Sequence, residues 1–172
     1  MTLFTRRGRI CVANFGAGEA AVLRQVLLEV VGLLEEGYDR ADPVVERLFP
    51  DMYPDDPEGS QDLRRYTDEE LKSTKLDQAG KILATLEELP GSDGEVRLDE
   101  EEAEAWLRAL TDVRLALGLR LDIRDETDLQ DELDEAVLKD PTSPRVGQLS
   151  VYAYLTYLQE SLLAALVGDG PL

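Results

Sequence analysis

RICVANFGAGEAAVLRQVLLEVVGLLEEG, residues 9–37, is the stretch that decides the fold. Its first seven residues alternate and are rich in β-formers, which predicts a strand ending at Phe15. Gly16 and Gly18 break that pattern. The next residues form a helix to about Glu36, with Gly37 just past its end. Val22, Leu23, Val26, Leu27, Leu28, Val30, Val31, Leu33 and Leu34 leave this helix apolar almost all round. Such a helix is expected either as the buried centre of the fold or in a subunit interface.

Working outward, Asp42 before Pro43 marks a helix start, and PDMYPDDPEGSQD (50–62) reads as a loop. Thr67 with Glu70 has the form of a capping box, which predicts a helix from Asp68 to about Leu89. PGSDG (90–94) is a turn, and EVRL (95–98) is a second short strand able to pair with the first. Asp99 with Glu102 opens another helix, whose apolar spacing at Ala103, Trp106, Leu107, Leu110, Val113 and Leu117 runs to Gly118. LRLDI (119–123) has the composition of a brief strand. After a Pro-Thr-Ser-Pro linker, Val151, Leu155, Leu158, Leu162 and Leu166 mark a last amphipathic helix. The expected fold is mainly α with a small antiparallel β-sheet (α+β): a helical bundle packed on two or three short strands. Residues 1–172 form a single domain in this reading, with an acidic insert over 122–145. Within the insert, residues 122–140 carry nine acids against Arg124 and Lys139, the density of a solvated helix or a mobile segment.

The chain holds 37 acidic residues against 18 basic ones and no histidine, a formal net charge of −19. That field repels a phosphate backbone, so DNA contact by the chain alone is expected to be weak or indirect. Without imidazole the commonest general base and transition-metal ligand are both missing. An apolar content of 43 % suffices for a core, and no apolar run reaches the ~18 residues of a membrane span. The single cysteine cannot close an intramolecular disulfide, which favours the cytoplasm.

Several motifs fail on their chemistry. Gly16-x-Gly18-x-x-Ala21 after a strand imitates a dinucleotide fingerprint, but Glu19 would stand against the phosphates and no βαβ unit follows. The acidic runs lack the glycine and distal glutamate of a calcium loop. No catalytic residue, metal site or cofactor is expected. Cys11 sits mid-strand between Ile10 and Val12; its bland reading is a small hydrophobe in the core, its functional one a redox thiolate with Arg9 nearby. The basic clusters Arg6, Arg7, Arg9 and Arg64, Arg65 read as surface ion pairs rather than as a nucleic-acid stripe.

Four segments in order carry a resemblance: DPVVERLFPDMYPDD (42–56), RRYTDEELKSTKLDQAGKIL (64–83), AWLRALTDVRLALGLRL (105–121) and VYAYLTYLQESLLAAL (151–166). Together they resemble the actinobacterial family of AosR-type oxidative-stress transcriptional regulators, long filed as a domain of unknown function. The resemblance implies a regulator that responds to oxidants through thiol chemistry and acts with a sigma factor and RNA polymerase. Partner contact then falls to Phe49, Asp51, Tyr53 and the pair Arg64/Arg65, with packing against the core as the alternative for the two aromatics. The intramolecular disulfide switch that the resemblance implies is impossible with Cys11 alone. The competing expectation is an acidic protein–protein adaptor or oligomeric scaffold with no part in transcription, a homodimer through the first helix or the Tyr152/Tyr154/Tyr157 helix.

Overall fold

Cys11, Ala13 and Phe15 alternate along strand β2 (Ile10–Phe15) and all three are buried, so one face of a small sheet seals the core. The computed structural model describes residues 3–35, 43–48, 57–89 and 94–168. Among them the elements run β1 (Thr5–Arg7), β2, α1 (Ala17–Glu35), α2 (Pro43–Leu48), α3 (Pro57–Glu87), β3 (Gly94–Leu98), α4 (Glu100–Arg120), α5 (Leu129–Lys139) and α6 (Pro144–Val167). The fold is mainly helical with a three-stranded antiparallel sheet in the order β1-β2-β3. The register sets Cys11 between Leu98 of β3 and Arg6 of β1, and sets Ala13 opposite Val96.

The strand pairing read for residues 9–15 and 95–98 holds, and β1 is added to it. The Thr5–Arg7 strand is exposed at all three positions, so no apolar alternation announced it. Its pairing rests on backbone bonds and on a two-residue turn at Gly8 and Arg9, where Gly8 takes φ +63°.

α4, not α1, is the central helix. Ala103, Ala105, Trp106, Ala109, Leu110, Val113, Ala116 and Gly118 are all buried, and the run of small residues lets α1, α2, α3, α6 and the sheet close around it. Trp106 stacks edge-on against Phe4 at 5.7 Å between ring centroids, and Phe15 completes the cluster at 6.0 Å from Trp106. α1 buries a single stripe, Leu23, Leu27, Val30 and Leu34, and leaves Leu28 52 % exposed. Its apolar composition exceeded what its neighbours cover.

α4 starts as the capping box demanded. Glu102 N donates to Asp99 Oδ1 at 2.8 Å, and Asp99 N donates to Glu102 Oε1 at 3.3 Å. Its end differs from expectation, because residues 119–123 form no strand. Leu119 and Arg120 finish the helix and Asp122 turns left-handed at φ 58°. Ile123 N then donates to Gly118 O and Asp122 N to Leu119 O, which is the Schellman closure with aspartate in the glycine position.

α3 also departs from the reading. It starts at Pro57, so part of the presumed loop is helical and Thr67 and Glu70 lie mid-helix rather than at a cap. Proline fits the first turn because its missing N–H has no partner there. α6 likewise starts at Pro144, inside the presumed linker. Of the turn read at residues 90–94, only Gly94 lies among the described residues, as the first residue of β3. In the acidic stretch, α5 is capped by Asp128, whose carboxylate accepts from Asp131 N at 3.1 Å. Ala136 is buried with Leu121 and Leu149, joined by Leu129 and Leu133, in a second apolar cluster.

The chain's two ends are tied together. Phe4 N donates to Ser161 Oγ at 3.0 Å. The Arg6 guanidinium donates to the carbonyls of Ala165 and Leu166 at 3.4 and 3.2 Å, which satisfies part of the last turn of α6 before Gly168 closes it at φ 83°.

Candidate functional site

Cys11 is the single cysteine of the chain, and its surroundings are those of a core side chain. It is 4 % exposed. Burial pushes its thiol above the ordinary value, and the positive charge of Arg6 offsets part of that rise. A reactive cysteine needs the opposite balance, a thiolate in a partly open basic setting. Arg6 faces Cys11 across the β1–β2 pairing, but its guanidinium is committed to Gly8 O and to the end of α6. Cys11 therefore rests as a neutral, enclosed thiol.

Arg7 and Arg97 on the sheet are also occupied. Glu95 accepts from Arg97 at 2.6 Å and faces Arg7 at 3.5 Å, and Arg97's hydrogen bond holds the Glu95 carboxyl below its usual range. Elsewhere Arg124 pairs with Asp122 and Arg145 with Glu132, both at 3.1 Å. Phe49, Asp51 and Tyr53 lie outside the described residues. Arg64 and Arg65 fall on the first half of α3, and nothing is described of their side chains. Two of the three tyrosines in α6 are used within the chain. Tyr154 Oη donates to Glu19 Oε2 at 3.2 Å, and Tyr152 lies against Gly118, where an added Cβ would stand 3.1 Å from its ring. Tyr157 is exposed.

Reading the sequence missed a polar seam between α3 and α4. Thr74, Lys75 and Gln78 on α3 line a cleft with Arg108, Thr111 and Asp112 on α4. The signal was present as spacing, i, i+1, i+4 on one helix and i, i+3, i+4 on the other, but each set alone looks like an ordinary solvated face. Among the described residues there is no group of three or more acids or cysteines that could hold a metal ion. No helix among them is long and apolar enough to cross a membrane.

Comparison with known proteins places this arrangement. The family model described as Domain of unknown function (DUF2017) matches residues 1–166. The protein named Oxidative stress regulator AosR from Mycobacterium tuberculosis (strain ATCC 25618 / H37Rv) is 30 % identical, over 96 % of this chain and 86 % of the relative. Its namesake from Mycobacterium bovis aligns with the same identity and coverage. No solved structure matches the chain. A family model over nearly the whole length, with relatives aligned over almost as much, shows that the chain belongs to the AosR-type family described as a domain of unknown function (DUF2017).

Proposed function

We propose that this protein regulates transcription during oxidative stress, acting by contact with a sigma factor or RNA polymerase rather than by gripping DNA on its own. The observation that carries the regulatory part is membership of a family whose mycobacterial members are named oxidative stress regulators. Charge supports the contact mechanism. The net charge is −19, and Arg6, Arg7, Arg97, Arg124 and Arg145 are all spent on partners within the chain, which leaves them poorly placed for phosphate binding. An acidic surface suits a basic region of a protein partner, with fast and salt-sensitive association. Phe49, Asp51, Tyr53, Arg64 and Arg65 are the proposed contacts, the setting is the cytoplasm, and no catalytic role is assigned. Oxidant sensing through Cys11 requires the β1–β2 hairpin to open, because the thiol is enclosed.

Fluorescence anisotropy of labelled promoter DNA tests this, with the protein alone and with polymerase–sigma holoenzyme, reduced and after mild peroxide. Binding seen only with holoenzyme is the expected result. Loss of the peroxide effect in Cys11→Ser ties sensing to that thiol. Tight sequence-specific binding by the protein alone would sink the contact mechanism.

One observation favours the scaffold reading. Exposed Leu28 stands on α1 beside a cleft of about 550 Å³ that is lined by Val26 and Leu33 of α1 and Leu117 of α4. Light scattering decides it: a strict monomer at micromolar concentration ends that reading.

A further inference from the structure

α3 and α4 approach each other without closing, and the gap between them is a solvent-open cleft of about 410 Å³, within the size range of small-ligand sites. Some polar groups on its walls are committed within the chain, and others meet no described residue. Lys75 Nζ donates to both oxygens of Asp112, at 2.8 and 2.9 Å, so this pair is internally neutral. The Thr111 hydroxyl donates to Leu107 O at 2.7 Å and accepts from Gln159 Nε2 at 2.6 Å.

Three groups remain. Gln78 is only 8 % exposed, yet its carboxamide makes no hydrogen bond with any described residue. Among the described residues the buried side-chain atom left without a partner is Gln159 Oε1, on the same amide whose nitrogen donates to Thr111. Arg108 pairs with no described residue, and neither does the Thr74 hydroxyl. Leu71 and Leu107 supply apolar wall on the two sides.

We propose that this cleft binds a small organic monocarboxylate. Its carboxylate sits on the Arg108 guanidinium, its apolar chain lies against Leu71 and Leu107, and the Gln78 carboxamide orients it with a hydrogen bond. The free charge in the cleft decides the class. Asp112 has both oxygens on Lys75 and offers nothing to a cation, whereas Arg108 presents an open planar fork suited to a carboxylate. A phosphate dianion would need more than the single unpaired cation that the described residues give the cleft, and it would face a chain of net charge −19. The small volume excludes a folded partner. This inference rests on the cleft alone and stands apart from the regulatory reading; a ligand here would bridge the central helix and the longest one.

The experiment titrates hexanoate into the full-length ¹⁵N-labelled chain and follows the Gln78 side-chain amide and the Arg108 Nε–H resonances. Hexanamide, the neutral isostere, is titrated in parallel. Saturable shifts of both resonances by hexanoate are expected. Arg108→Gln should weaken binding roughly tenfold or more, the loss of one charge-assisted hydrogen bond, and hexanamide should bind weaker by a similar factor. Arg108→Lys should recover part of the affinity, since it restores the charge without the fork. Circular dichroism melting confirms that the variants are folded, as expected for an exposed position. Absence of saturable shifts overturns the proposal, as does equal binding of hexanamide or affinity unchanged in Arg108→Gln.

Discussion

Lys75 on α3 holds both carboxylate oxygens of Asp112 on α4, at 2.8 and 2.9 Å. Both side chains are largely withdrawn from solvent, 16 % and 14 % exposed. In that position the pair contributes less as a net attraction than as a condition: neither charge tolerates the loss of the other. Lys75→Met is expected to cost about 2 kcal/mol in urea unfolding, because Asp112 is left charged and poorly solvated. The double variant Lys75→Met/Asp112→Leu should recover most of it. A double variant as unstable as the single one would assign the effect to packing.

The Asp99–Glu102 box gives a second measurable quantity. The bond from Glu102 N to Asp99 Oδ1 is short at 2.8 Å and its reciprocal is long at 3.3 Å, so Asp99 carries most of the cap. Asp99→Ala should lower stability by about 1 kcal/mol, and Glu102→Ala by clearly less. Thermal melts of the two variants read the order directly.

Asp122 predicts a gain. A side chain at φ 58° pays a steric cost that glycine does not, and the Schellman bonds around it are made by backbone alone. Asp122→Gly should therefore stabilise by about 0.5–1 kcal/mol, with the Arg124 contact, exposed as it is, too weak to reverse the sign. Asp122→Val should destabilise, since a β-branched residue resists that conformation most.

Cys11 sets an alkaline limit. Its folded value lies above the ordinary 9.0 because of burial. Below about pH 9 both folded and unfolded chains keep the proton, and the full stability is present. As pH rises from there towards the folded value, the unfolded chain releases the proton first and stability falls. Cys11→Ala should flatten this decline relative to the parent while costing about 1 kcal/mol at neutral pH through lost packing. Ellman's reagent should label the native thiol far more slowly than the urea-unfolded one; equal rates would show that the thiol is open.

What could be read from the chain depended on whether a residue's partner lay nearby in sequence. The apolar spacing of α4 and α6 and the cap at Asp99 are local, and they read correctly. β1 could not be seen, because Thr5–Arg7 is exposed and owes its pairing to β2. Thr67 and Glu70 imitate a cap in mid-helix, since a capping box is recognised by residue type while the true start at Pro57 depends on backbone context. Leu119 and Arg120 look like strand residues until the left-handed turn at Asp122 closes the helix. At the candidate sites, the burial of Cys11 comes from β3 and the core assembled beneath the sheet, and the seam at Lys75 and Asp112 joins positions 37 residues apart.

The ties from Phe4 to Ser161 and from Arg6 to Ala165 and Leu166 join residues 157 to 160 positions apart. During synthesis the first hairpin leaves the ribosome long before its fastenings exist. β2 waits for β3, and the ties that fasten β1 wait for the final turn of α6, so Cys11 spends most of translation in an unfinished sheet. The nascent chain is thus the form in which this thiol meets its surroundings most freely.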